Sequence, residues 1–309
     1  MKKMADEAIV ACVPNFSEGV DESCVRSIVA GMRVDGVRLL DWSMDSDHNR
    51  SVVTIAGPPA AILESAIRGV GKAAELIDLT RQSGVHPRIG AADVIPFVPV
   101  SGVSLDQCAV LARQAGVEIW RRYSIPVYFY EAAAARPDRA NLEDVRRGQF
   151  EELREIARKE SSRRPDVGGP GLHPTAGACA VGARKFLVAY NIYFDSPDVS
   201  LVRAIAKELR ASNGGLKGVK AMGVLAHNRA QLSMNITDLQ ATPVSAVYAK
   251  VCQLAARHKT EPFQAEVIGL LPQLAYEQGS EWMRLLDGFD PETKVLERRL
   301  EIPQEWPES

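Results

Sequence analysis

One of the five histidines of this chain, His86, stands in the stretch SGVHPRIGAADVIPFVPV, residues 83–100. Gly84 precedes it by two positions and Pro87 follows it directly. A glycine permits a tight turn, and a proline restricts the residue before it to extended geometry, so the imidazole hangs from a stiff segment. An imidazole titrating near neutral pH can take a proton and give it back, the work of a general base and then a general acid. A histidine in such a turn also serves as a cap or a packed core ring, and a lone histidine supports either reading.

A second concentration of chemistry lies in DWSMDSDHNR, which sets Asp41, Asp45, Asp47, His48, Asn49 and Arg50 within residues 41–50. Three readings stand side by side. The stretch is a solvated hairpin loop, or a ligand loop aiming Asn49 and Arg50 into a site, or part of a metal site. In the last case Asp47, His48 and either His86 or His173 would be ligands, although no H-x-x-x-H or comparable pair supports them. Farther on, GACAVGA is followed by two cations, Arg184 and Lys185, at the start of an apolar run. They are either an exposed strand end or a grip for carboxylates, which a guanidinium holds with two parallel hydrogen bonds. Asn15, Ser17 and Glu18 close the first apolar run, with Ser17 reading as a helix cap. Glu266 interrupts AEVIGLLP. It lies on a wet face, or it is a buried acceptor suited to a ligand edge with paired N–H donors, such as a pterin or guanine. There is no Walker loop, no G-x-G-x-x-G after a strand and no G-x-S-x-G elbow, so neither a nucleotide cofactor nor a serine hydrolase is indicated.

These residues need elements to position them. Apolar patterning gives strands over 7–15, 37–43, 50–57, 93–100, 125–131, 185–194, 217–227, 229–238 and 265–272. It gives helices over 21–33, 58–79, 104–122, 141–162, 197–212 and 243–258. The prolines within 93–100 suit an edge position or a strand end. The order strand, helix, strand, strand, helix, strand occurs twice, which is the split β-α-β arrangement used in duplicate. The expected class is α+β, built as α/β layers: two similar βαββαβ, ferredoxin-like subdomains with mixed sheets, over 1–181 and 182–309. Between them, RRPDVGGPGLHPTAGACAVGA (163–183) is rich in glycine and proline yet holds Asp166 and His173. Ligand sites favour such loops and the seam between two halves, so a ligand groove is expected there.

Composition sets the outer limits. The chain has 309 residues, 46% hydrophobic and 25% charged, with a net charge of −2, as expected of a globular enzyme and not of a bulk nucleic-acid binder. No apolar run reaches the roughly 18 residues that span a membrane, and no signal peptide is evident at the start. Cys12, Cys24, Cys108, Cys179 and Cys252 form no C-x-x-C and are odd in number, which reads as free thiols in a reducing cytoplasm.

The strings CVPNFSEG, DHNRSVVTIAGPP, HPRIGAADVIPFVPV, PVYFYEAAA, GARKFLVAYNI and EVIGLLP, in this order, closely resemble glutamate formiminotransferases. These occur as stand-alone bacterial enzymes and as the front half of formiminotransferase-cyclodeaminase. The resemblance runs from about residue 7 to about residue 300 and includes no cyclodeaminase part. It implies two α/β subdomains with a folate groove between them, a cytoplasmic homodimer, and small-molecule partners only. The implied reaction moves the formimino group of N-formimino-L-glutamate to N5 of tetrahydrofolate, the cosubstrate, in histidine degradation, without a metal.

The resemblance also assigns residues. The histidine of H-P-R-[MI]-G is His86, the catalytic acid/base. The folate loop is Gly168, Gly169, Pro170, Gly171, Leu172, His173, Pro174, Thr175, Ala176 and Gly177, with Glu266 where animal members have an amide. Asp41, Asn49, Arg50, Arg184 and Lys185 are expected to orient substrate. Animal members carry a second acidic residue two positions after Asp41; here it is Ser43, which leaves Asp41, Asp45 and Asp47 as candidate partners of His86. A formylglutamate donor, a folate binder without turnover, and a metal-dependent amidine or amide hydrolase using His48, His86 and His173 are the competing readings.

Overall fold

Amphipathic helices pack against both sheets of this chain, and the inner strands of the first sheet are buried along their length, as at residues 9–12 and 179–183. The computed structural model describes residues 7–308 and divides into two units, one ending at Arg184 but regaining the tail from Pro303, the other running Lys185–Ile302.

In the first unit, β1 (Ile9–Cys12) and β2 (Asn15–Phe16) are two pieces of one strand, parted at Val13 and Pro14. Helix α1 (Glu22–Gly31) is capped by Asp21, whose carboxylate accepts from the Ser23 and Cys24 amides. β3 (Arg38–Asp45) and β4 (Arg50–Gly57) form a hairpin. Helix α2 (Pro59–Leu76) starts on prolines, which fit a first turn. β5 (Ala92–Ser101) follows, then α3 (Leu105–Tyr123), opened by a Ser104/Gln107 capping box, and β6 (Val127–Glu131). The short α4 (Leu142–Val145) and α5 (Gln149–Lys159) precede β7 (Cys179–Ala183). The sheet order is β3, β4, β1/β2, β5, β7, β6, antiparallel except where β7 lies parallel to both β5 and β6.

The second unit holds β8 (Val188–Phe194), α6 (Val199–Leu209), β9 (Val219–Ala226), β10 (Arg229–Ile236), α7 (Val244–Arg257) and β11 (Gln264–Ile268). Its antiparallel sheet runs β11, β8, β10, β9. Numbered within each motif, both sheets place the first strand between the third and the fourth. That is the expected duplicated βαββαβ order, with β7 and β6 added to the first copy.

Two expectations need correction. The proline-bearing strand β5 is central, flanked by β1/β2 and β7. Pro96 is tolerated because it lies against the gap between β1 and β2, where its carbonyl accepts from the Val13 amide, and Pro99 pairs Val10 beside a register shift. The break between units falls at 184/185 rather than after 181: β7 carries Gly182 and Ala183, and the Arg184 amide donates to Phe97 O at 3.1 Å. The tail rejoins the first unit through Gln304 N to Leu39 O, 2.7 Å.

Candidate active site

Sheet parity decides which hairpin residues share a face. Phe16 meets α2, since a Cβ on Gly69 would lie 3.4 Å from its ring. Its partner Ser51 therefore faces the helices, and Arg50, Val52 and Thr54 face the other way. Opposite them on β3 stand Asp45, Ser43 and Asp41, which puts Arg50 and buried Asp41 on one face of the hairpin.

His86 lies in the segment 77–91 between α2 and β5, and the hairpin is its seat. The Val85 amide donates to Asp47 O at 3.2 Å, and Asn49 Nδ2 donates to Ser83 O at 2.8 Å. Gly84 is required here: a Cβ would come within 2.5 Å of His48 O. Toward β5, Ser17 Oγ donates to Gly90 O (2.7 Å) and the Ile89 amide donates to Asp93 Oδ1 (2.8 Å).

The half-buried imidazole of His86 lies against the Arg50 guanidinium, with Nη1 2.8 Å from Nδ1 and also in contact with Nε2, while Nδ1 is 2.9 Å from Pro87 O. A guanidinium can only donate. We therefore assign the neutral tautomer in which Nδ1–H donates to Pro87 O and Nε2 accepts from Arg50. Burial, then Arg50, Arg146 and His48, hold the His86 pKa well below the usual 6.5, so the ring is neutral at pH 7. Burial and the nearby Arg146 lower Arg50 to about 9, still protonated at neutral pH, and its Nε is buried without a hydrogen bond. Arg146 is ion-paired with Asp93, both almost wholly buried. Arg184 also lies within electrostatic reach of Arg50. The result is a basic, partly desolvated neighbourhood around a neutral base.

The glycine-rich stretch borders this segment. The amides of Leu79 and Ala91 donate to Thr175 O and Ala176 O, both at 2.9 Å, and the Ala178 amide donates to Ile89 O at 2.9 Å. His173 and Gly177 exchange backbone hydrogen bonds of 2.8 and 3.1 Å, and His173 Nδ1 accepts from the Ala176 amide at 3.0 Å, so this imidazole caps its own loop. The glycines have packing reasons. A Cβ on Gly168 would meet the Trp120 ring, one on Gly171 the Arg158 guanidinium, and one on Gly177 would sit 2.1 Å from Ile89 O.

In the second unit, Val188, Tyr190, Ile192 and Phe194 of β8 enter the core, leaving Asn191 and Tyr193 on the opposite face. Register sets Gln231 beside Tyr193 and Glu266 beside Asn191. Glu266 Oε1 accepts from Asn191 Nδ2 (2.9 Å), Tyr193 OH (2.7 Å) and Gln231 Nε2 (3.3 Å). Among the described residues these bonds all converge on Oε1, which orients the carboxylate and presents Oε2 as an acceptor for N–H donors.

The family model of the formiminotransferase domain, N-terminal subdomain, matches residues 9–184, and that of the formiminotransferase domain matches residues 189–297. The chain belongs to the formiminotransferase family. It is 40% identical to a glutamate formimidoyltransferase of Streptococcus pyogenes, over 94% of this chain and 98% of that one. It is 41% identical to a glutamate formimidoyltransferase of Thermoplasma acidophilum, over 95% and 98%. A formimidoyltransferase-cyclodeaminase of Gallus gallus is 36% identical over 89% of this chain but 52% of its own length.

Within the first unit, the structure brings His86, Arg50 and the 168–177 loop to adjoining segments. Lys185 and Glu266 belong to the second unit, and Lys185 is exposed. Arg184 and Lys185 do not open a strand, since β7 ends at Ala183 and β8 starts at Val188. Asn49, expected as a substrate contact, also ties the backbone. Its Oδ1 accepts from the Gly19 amide (2.9 Å) and its Nδ2 serves Gln82 and Ser83, so its amide is used in holding the His86 segment. The helix cap expected of Ser17 belongs to Asp21. The charged groups that act most on His86 are cations, not the expected carboxylate, and Asp45 Oδ1 instead accepts from the His48 amide at 2.8 Å. Among the described residues no group of three His, Cys, Asp or Glu side chains is arranged to hold a metal.

Arg146 and Asp93 escaped the sequence reading. Asp93 gave the same signal as Glu266, a carboxylate inside an apolar run, and could have been found that way. Arg146, in the charged stretch NLEDVRRGQF, looks like any helix-surface arginine.

Proposed function

We propose that this chain is a glutamate formimidoyltransferase, carrying the formimino group of N-formimino-L-glutamate to N5 of tetrahydrofolate. The observation that carries the reading is a neutral imidazole held against a guanidinium in a basic neighbourhood of the first unit. Full-length relatives bearing that activity in their names support it. Tetrahydrofolate supplies the N5 amine that attacks the amidine carbon. His86 Nε2 takes the N5 proton and returns it to the nitrogen of the departing glutamate, so one C–N bond forms as another breaks and no net proton is gained or lost. Arg50 and Arg184 take the donor's carboxylates. A carboxylate seated on Arg50 draws the guanidinium off Nε2 and offsets its charge, which lets the imidazolium form. The 168–177 loop of the first unit holds the folate; Glu266, in the second unit, offers Oε2 as an acceptor suited to an N–H edge such as that of a pterin. A cytoplasmic homodimer is part of the same reading.

The test is a coupled assay of glutamate release from N-formimino- and from N-formyl-L-glutamate, each with and without tetrahydrofolate. Release that requires tetrahydrofolate and prefers the formimino donor is expected. Preference for the formyl donor reassigns the substrate, and release without folate removes the transferase reading.

A further inference from the structure

His86 sits in a connection between elements, and connections are mobile unless tied. Four residues before it, Gln82 reaches two segments that are remote in sequence. Its Nε2 donates to Glu18 Oε2 at 2.7 Å, and its Oε1 accepts from Asn49 Nδ2. Glu18 is 7% exposed and Asn49 9%. Glu18 Oε1 accepts from the Val20 and Asp21 amides at 2.8 and 2.9 Å, so the acid is anchored at the head of α1. Asn49 adopts φ +46°, a left-handed conformation that asparagine tolerates, and its amide also ties Gly19 and Ser83. The backbone carbonyl of Gln82 accepts from Arg88 Nη2, and Arg88 pairs with Glu151 at 3.0 Å. His86 is thus suspended between two anchors, one at Gln82 and one at Arg88.

We propose that Gln82 is a positioning residue for His86, the middle of a Glu18–Gln82–Asn49 chain that sets where the imidazole stands against Arg50. The proposal rests on the reading of His86 as the acid/base. Gln82 has to be an amide, because it gives a hydrogen to a carboxylate on one side and takes one from an amide on the other. A carboxylate at position 82 would face the Glu18 carboxylate across a nearly buried contact. The chain of bonds is reversible in a useful way. With Glu18→Gln and Gln82→Glu together, the new amide oxygen at position 18 still accepts from the Val20 and Asp21 backbone amides. The amide nitrogen at that position then donates to the new carboxylate at position 82, which also still accepts from Asn49.

The experiment compares wild type, Gln82→Glu, Gln82→Met, the Glu18→Gln/Gln82→Glu double variant and His86→Ala by steady-state kinetics, with a thermal melt and a folate-binding titration of each. Displacement of a reacting group by about 1 Å costs roughly 10²-fold in rate. Gln82→Glu is therefore expected to lose kcat on that scale with the KM for tetrahydrofolate unchanged, and Gln82→Met to do the same if Gln82→Glu fails to fold. The double variant is expected to regain most of the lost kcat. Wild-type kcat in both single variants, beside an inactive His86→Ala, overturns the positioning role alone. A double variant that melts like wild type but stays slow does so too, because the restored bonds would then not be what matters. An active His86→Ala overturns the acid/base reading and this proposal with it.

Discussion

The two units share one strand order, yet their connections from second helix to fourth strand differ sharply. In the second unit, residues 258–263 turn from α7 into β11 through a left-handed Lys259, with the Phe263 amide donating to Tyr193 O at 2.8 Å. In the first, residues 77–91 form an extended segment tied to the β3–β4 hairpin, to Ser17 and to the glycine loop, and this segment carries His86. The second unit concentrates its polar chemistry instead on a sheet face, where regular strand geometry gathers three donors on Glu266. The same scaffold thus offers two ways to place a functional group. A sheet face needs only alternation and register, whereas a loop needs a dedicated set of side-chain ties.

If the first unit performs the proton transfer, substitutions in the two units should separate in kinetics. The largest effect is expected from His86→Ala, which should lower turnover by roughly 10²–10⁴-fold, the usual worth of a general base, while equilibrium folate binding persists. A loss below tenfold, or lost folate binding in a folded variant, would erase the division.

Next comes Arg50→Ala. It should weaken donor binding by about 1.5–3 kcal/mol, the range for a hydrogen bond to a charged group, read as a raised donor KM. It should also move the acid limb of kcat/KM. In the wild type, burial and then the Arg50 charge oppose protonation of His86, so the limb lies well below pH 6.5. Removing the cation raises the imidazole pKa, and the limb must shift to higher pH. A shift downward would mean that the limb belongs to another group.

The smallest effect should follow Glu266→Gln in the second unit. The amide oxygen can still accept from Asn191 and Tyr193, so the fold should hold, while an NH2 donor takes the place of the Oε2 acceptor offered to the ligand. The expected result is a tetrahydrofolate KM raised by about 1 kcal/mol, with kcat and the pH profile unchanged. A fall in kcat instead would tie Glu266 to the chemistry.

Much of this architecture is legible without coordinates because it is written locally. The two strand–helix–strand–strand–helix–strand series follow from side-chain periodicity, and Pro58, Ser104 and Gln107 mark helix starts by capping chemistry that acts within one turn. His86, Arg50 and the glycine stretch stand out by residue type and neighbours. What they touch does not, because pairing across distant segments leaves no local trace. Pro96 reads as an edge residue until the gap between β1 and β2 shows why a central strand can hold it. Asn49 reads only as a ligand contact, and the ties of its amide to the Gly19 amide, Gln82 and Ser83 show only in the fold. Arg146 carries no sequence signal, since only the fold brings it to Asp93 and within reach of His86. The sequence by itself determined which elements form and which side chains could act on a proton or a carboxylate. Tertiary structure alone decided that the histidine's strongest charged neighbours are arginines. A pKa responds to charges within a few ångströms through a low dielectric, and that neighbourhood is assembled from Arg50 and Arg146, which lie far from position 86 and from each other along the chain.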